Sequence, residues 1–175
     1  MVLLSPDGKR AYVSNTGTGT LSVVDLETSE VSVIASAARP QGTAFSPDRK
    51  TIYMTNLDGN SISIFDVEKR ERTGMIRTGK GPCRIVATSD GKTLVYALQN
   101  AEAVGFADVA SGKETQQVPI GGKLVSLTVS RDGRLAYSSA QEQDKIFVIS
   151  IADRKIIRVI TTPKGSGPDP VVALR

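Results

Sequence analysis

An all-β repeat architecture is predicted by three observations in this 175-residue chain: a recurring phrase, an even spacing of its copies, and short alternating runs between them. The phrase reads "LSPDGKRAYVSN" at 4–15, "FSPDRKTIYMTN" at 45–56, "TSDGKTLVYAL" at 88–98 and "SRDGRLAYSSA" at 130–140. Its turn aspartates, Asp7, Asp48, Asp90 and Asp132, lie 41, 42 and 42 residues apart. A fixed period of that length is the mark of a repeat fold, and helical periodicity is absent.

Each unit resolves into four strands. An inner run such as "VLL" (2–4) precedes the turn aspartate, and a second such as "RAYVSN" or "TIYMTN" carries the tyrosine. A third, "TLSVVDL" or "SISIFDV", ends at Asp25, Asp66, Asp108 or, in the last copy, Ser150, each 18 residues after its anchor. An outer run such as "EVSVIA" or "KIIRVI" closes the unit. These runs are rich in Val, Ile, Tyr and Thr, the residues that suit a pleated, half-buried surface. The "DG" dipeptides at 7–8, 90–91 and 132–133 predict tight type I′ hairpins, because such turns want residues that tolerate positive φ. Arg49 stands where the second copy should have that Gly, which implies either another turn type or accepted strain.

Four-stranded units repeating at this length predict propeller blades, at about 1–42, 43–84, 85–126 and 127–170 of one domain. Pro40 and Pro82 fall eight residues before their anchors, Leu124 takes that place before Asp132, and Pro168 points to an anchor at 176. "VVA" at 171–173 aligns with "VLL" and "TAF", so residues 171–175 are expected to start a further inner strand. Two explanations stand for that surplus: a piece of a larger, open propeller, or a four-blade unit whose extra strand pairs across its seam or with a second chain.

Composition excludes several classes. The chain has no histidine, which removes His-dependent triads, His general bases and His haem ligation together. The single Cys83 forms no internal disulfide and has no zinc-site partners. The net charge of +4 comes without a basic tract, so no nucleic-acid partner is expected. No apolar run reaches the roughly 18–20 residues needed to span a bilayer, and no signal peptide is visible.

"YVSN" and "YMTN", each following "SPD" and leading to "LSVVDLET" or "ISIFDVEK", resemble the YVTN-family β-propeller repeat, strongly in the first two units and loosely in the last two. The resemblance implies an extracytoplasmic protein, periplasmic or at the bacterial or archaeal cell surface. WD-repeat blades have similar length but carry Trp and His signatures, both absent here. "DVASGKETQQ" at 108–117 is similar to quinoprotein-dehydrogenase repeats without their tryptophan, and lactonase-type propellers use comparable phrasing.

The aspartates Asp7, Asp48, Asp90 and Asp132, and likewise Asp25, Asp66 and Asp108, read as turn caps, since Asp accepts backbone N–H bonds two residues on. Tyr12, Tyr53 and Tyr137 read as packing between blades. Lys9, Arg10, Arg49, Lys50, Lys92 and Arg134 should cluster on the turn face as solvated charges. The opposite face gathers the loops before each inner strand with those after each tyrosine strand, and scaffolded loops around a channel are where propellers bind. Its ligand-binding candidates are Asn15, Arg39, Gln41, Asn56, Arg84, Asn100 and Lys123. No catalytic residue, metal site or cofactor is assigned. The expectation is a non-enzymatic binding or scaffold module for a protein, peptide or glycan. The alternative is part of a lactonase-like hydrolase or periplasmic oxidoreductase whose catalytic or cofactor residues lie elsewhere.

Overall fold

The structure, a computed structural model, describes residues 1–169. The expected strand over 171–173 lies outside those residues. Sixteen strands form four four-stranded antiparallel sheets in which each strand pairs with its sequence neighbour. Blade 1 holds β1 (Val2–Leu4), β2 (Arg10–Asn15), β3 (Thr20–Asp25) and β4 (Val31–Ala35). Blade 2 holds β5 (Pro40–Phe45), β6 (Thr51–Asn56), β7 (Ser61–Asp66) and β8 (Glu71–Arg77). Blade 3 holds β9 (Pro82–Ala87), β10 (Thr93–Leu98), β11 (Ala103–Asp108) and β12 (Lys113–Pro119). Blade 4 holds β13 (Leu124–Val129), β14 (Leu135–Ala140), β15 (Lys145–Ser150) and β16 (Lys155–Thr161). A 3-10 turn, Gln141–Gln143, joins β14 to β15.

The sheets stack face to face in chain order, so the core is three interblade layers. The first joins Tyr12, Leu21 and Val23 to Ile52, Met54 and Phe65, with Tyr12 meeting Phe45 edge to face at 5.6 Å between ring centroids. The second sets Tyr53, Ile62 and Ile76 against Leu94, Tyr96 and Ala107. The third packs Val95, Val104 and Phe106 of blade 3 onto Ala136, Phe147 and Ile149 of blade 4. The arc is not closed between blades 4 and 1.

The hairpins differ in type from the expected I′ turns. The first and second strands of each blade are joined by a type I-like turn over Pro6–Asp7, closed by Gly8 N–H donating to the Ser5 carbonyl at 2.9 Å. Equivalent bonds run from Arg49, Gly91 and Gly133 to Ser46, Thr88 and Ser130. Only the residue after the aspartate has positive φ: Gly8 at 69°, Gly91 and Gly133 at 71°, and Arg49 at 62°. A I′ turn would need two such residues in succession, whereas here the aspartate keeps an ordinary backbone and caps the turn with its side chain. Arg49 therefore adopts the same turn as glycine does and bears its strain. Its guanidinium lies 5.4 Å from the Phe45 ring centre, a cation–π contact that partly offsets the cost.

Tyr96 differs from the other tyrosines. It lies one residue later in its strand, and a shift of one residue in a strand reverses the face. Tyr53 points forward to blade 3 while Tyr96 points back to blade 2, so both rings fill the same layer. Tyr137 sits half-buried on the forward side of blade 4.

Candidate functional site

The turn aspartates are consumed locally. Asp7, Asp48, Asp90 and Asp132 each accept the backbone N–H two residues on, at 3.0–3.1 Å. The hydroxyl of Ser5, Ser46, Thr88 or Ser130, followed by that amide, holds each carboxyl below its usual range. Asp25 and Asp66 accept two backbone amides each, and Asp108 accepts the Ser111 amide and hydroxyl. Ser150, standing where a fourth aspartate would be, accepts the Asp153 amide at 3.2 Å.

On the opposite face the candidates separate into three groups. Asn56 is wholly buried: its Nδ2 donates to Ser61 and Ser63 hydroxyls at 3.2 and 3.0 Å, and its Oδ1 accepts from Ser36 of blade 1 at 2.9 Å. The expected ligand contact at Asn56 is thereby overturned, because its amide is spent stitching blade 1 to blade 2. Asn15 is half-buried and donates to Thr20 and Ser22 at 2.9 and 2.7 Å. Asn56→Ala should cost about 1–3 kcal/mol, read from the urea midpoint, because it strands buried hydroxyls of two blades.

Arg39, Asn100 and Lys123 are exposed at the rim but do not converge. Arg39 pairs with Asp58 at 3.6 Å, and Asn100 packs over Gly81. An exposed pair of that kind contributes about 0–1 kcal/mol.

Gln41 and Arg84 are brought together. They share two adjoining hollows where the inner strands begin, of about 160 and 360 Å³. The smaller adds Cys83, Gln99, Leu124, Val125 and Asp169, and the larger adds Met1 and Thr16. Gln99, Thr16 and Asp169 were missed from the sequence, although the repeat register carried a signal for the last. Gln41, Cys83 and Val125 each lie seven residues before a turn aspartate, and Asp169 lies seven before the projected position 176, so equivalent positions of successive blades line one wall. The site offers a guanidinium, two carboxamides and the Asp169 carboxylate, a set suited to a ligand that carries a carboxylate or carbonyl beside a hydrogen-bond donor.

The one thiol at the site is no ready nucleophile. The Cys83 thiol is buried, donates toward the Leu124 carbonyl at 3.7 Å, and is pushed up to about 11 by burial. Among the described residues no three Cys, Asp or Glu side chains gather as a metal site. Asp144 accepts the Gly165 and Gly167 amides at 2.7 and 2.9 Å. Another hollow, about 380 Å³, lies elsewhere, between blades 1 and 2. Arg10, Arg70, Asp25 and Glu30 all line it, and opposed charges leave little net field for a ligand.

The chain matches no family model and no curated protein. Among solved structures it is similar to a chain of Kuenenia stuttgartiensis hydrazine synthase, with a TM-score of 0.84 and 22% identity over 92% of this chain. The fold is an all-β, propeller-like arc of four blades. The chain spans about half, 48%, of that solved chain, and at this identity the likeness establishes the fold alone. No helix among the described residues is long and apolar enough to cross a membrane.

Proposed function

We propose that the chain is a non-enzymatic propeller module of the YVTN-repeat kind, working at the cell surface or in the periplasm. It binds a carboxylate-bearing peptide, protein or glycan at the inner-strand hollow. The observation that carries this reading is the convergence of Arg84 with Gln41 and Gln99 on a rigid scaffold, beside a Cys83 thiol that burial keeps protonated. A guanidinium fork flanked by carboxamide donors recognises an anionic group through paired hydrogen bonds, and the Asp169 carboxylate on the same wall favours ligands that carry a hydrogen-bond donor beside that anion.

Fluorescence anisotropy against a panel of acidic peptides and uronic-acid oligosaccharides tests the reading. Arg84→Ala should weaken binding of any hit by about tenfold or more, the scale of a lost charge-assisted hydrogen bond, while circular dichroism stays unchanged. No hit, or a hit indifferent to Arg84→Ala, defeats it. A second reading, the propeller part of a larger enzyme, draws support from the name of the similar solved chain, a synthase of which this chain spans about half. Turnover of ester or lactone substrates by the chain would favour it.

A further inference from the structure

The turn face carries a hollow of about 310 Å³ between blades 2 and 3, away from the Arg84 wall. The repeat explains its origin. Between blades 1 and 2 the corresponding place is filled by Phe45, packed edge to face on Tyr12, and by Arg49, whose guanidinium lies 5.4 Å from the Phe45 ring centre. Blade 3 has Ala87 and Gly91 at the positions of Phe45 and Arg49, so two large side chains are missing there. Gly91 lines the hollow, and a Cβ built on it would stand 3.5 Å from Pro47 of blade 2. Tyr53 therefore opens where its counterpart Tyr12 is sealed. The Tyr12 hydroxyl is wholly buried. Tyr53 is only 5% exposed, yet it lines the hollow, and its hydroxyl has no hydrogen-bond partner among the described residues. Burial, followed by the nearby Asp48 charge, pushes the proton loss of this phenol up.

Two carboxylates in the same wall each have an oxygen to spare. Oδ1 of Asp48 and of Asp90 accepts the hydroxyl and the amide of its own turn, whereas Oδ2 of neither accepts a bond among the described residues. Asp132 shows the alternative, its Oδ2 taken by Arg134 Nε at 2.6 Å. Lys50 and Lys92 act on Asp48 and Asp90 from outside the hollow and line no part of it.

We propose that this hollow binds an alkyl ammonium group, its nitrogen donating to the spare oxygens of Asp48 and Asp90 and to the Tyr53 hydroxyl, its methylenes lying on Pro47 and Val109. An ammonium has three donors and no acceptor, which matches a wall whose unused polar atoms are two carboxylate oxygens and a phenol. Both carboxyls are held below their usual range by their own turns, the hydroxyl first and the amide second, so both are charged at neutral pH. The wall thus carries two negative charges and no positive one, unlike the hollow at Asp25, where Arg10 and Arg70 answer the acids. A metal ion would ask for more carboxylate ligands, and no third acid joins these two among the described residues. The apolar part of the wall suits an alkyl stem that ends in a charge. Lysine side chains of proteins and free diamines both carry such a group.

Amide NMR titration of the 175-residue chain with diaminopentane and with N-acetyl-lysine methylamide tests the site. The Gly91 and Val109 amides should shift and saturate, while pentanol at the same concentrations leaves them in place. Asp90→Asn keeps an oxygen to cap the turn but removes the charge, and should weaken binding about tenfold; Tyr53→Phe should weaken it about threefold. The melting temperature of Tyr53→Phe should hold, because the hydroxyl it removes has no partner in the free protein. Gly91→Arg copies blade 2, where Arg49 holds the same backbone at a φ of 62°, and should abolish binding with circular dichroism unchanged. It is the second variant should Asp90→Asn unfold. Arg84→Ala should leave amine binding as it was, which keeps this site separate from the carboxylate-binding reading. Shifts with the lysine derivative as well as the diamine assign the group to a protein side chain, and shifts with the diamine alone assign it to a free amine. Silence of both amides with either probe, equal shifts with pentanol, or binding that survives Gly91→Arg overturns the proposal.

Discussion

Gly42→Ala should lower the melting temperature by roughly 6–12 °C, the equivalent of about 3 kcal/mol in a chain of this length. Gly42 lies in the inner strand of blade 2, at an irregular register between Pro40 and Thr43. A Cβ there would stand 2.5 Å from the Cys83 carbonyl oxygen and 2.9 Å from the Arg84 Cα, both backbone atoms of the neighbouring inner strand. Backbone yields only by moving a blade, so the cost falls at or beyond the upper end of overpacking in cores. The Thr55 hydroxyl adds to it, since Gly42 N–H donates to Thr55 Oγ1 at 2.8 Å and any shift lengthens that bond. Gly17→Ala is the control: nothing lies within 4 Å of its Cβ position, and the melting temperature should move little. A Gly42→Ala protein that melts with the parent would show that the inner strands part easily.

The second large effect falls on Gly105→Ala, with a loss of about 2–3 kcal/mol in urea unfolding. Gly105 pairs with Tyr96 across β10 and β11, and the buried ring lies over it, so a Cβ would enter the ring itself. Tyr96 cannot swing aside freely, because its hydroxyl donates to Glu114 Oε2 at 2.7 Å within a packed layer. The same pair of positions holds Val13 with Ser22 in blade 1 and Met54 with Ser63 in blade 2. Blade 3 has exchanged volume between partners, a large residue against none. Tyr96→Met combined with Gly105→Ser copies the blade 2 pair and should recover most of the loss. Additive losses instead would show that the two positions do not share one space.

Much of this protein could be read before any coordinate. The period of 41–42 residues and the alternating runs gave four blades of four strands, because a side-chain period of two with regular turn residues admits few other arrangements. The capping aspartates were legible for the same reason, their chemistry being completed within three residues. The turn type was not: "DG" is compatible with two geometries, and the Ser or Thr two residues before the aspartate favours the observed one, its hydroxyl donating to the Asp carboxylate and accepting the amide five residues on. Asn56 was misread because a loop-facing asparagine looks alike in sequence whether it meets solvent or, as here, serines of its own blade and of the one before it.

The sequence by itself determined the blade, its strands, its turns and its apolar faces, since each depends on contacts between residues close in the chain. Only the tertiary structure decided how blades meet. Gly42 shows the limit: its equivalents in blades 3 and 4 are Arg84 and Ser126, so the repeat alone permits a side chain there. The close approach of two inner strands forbids one. The same contacts between distant residues placed Arg84 beside Gln41 and buried Asn56. Periodicity specifies a surface, but which surfaces touch is set by the distances between strands far apart in sequence, and no local pattern encodes those.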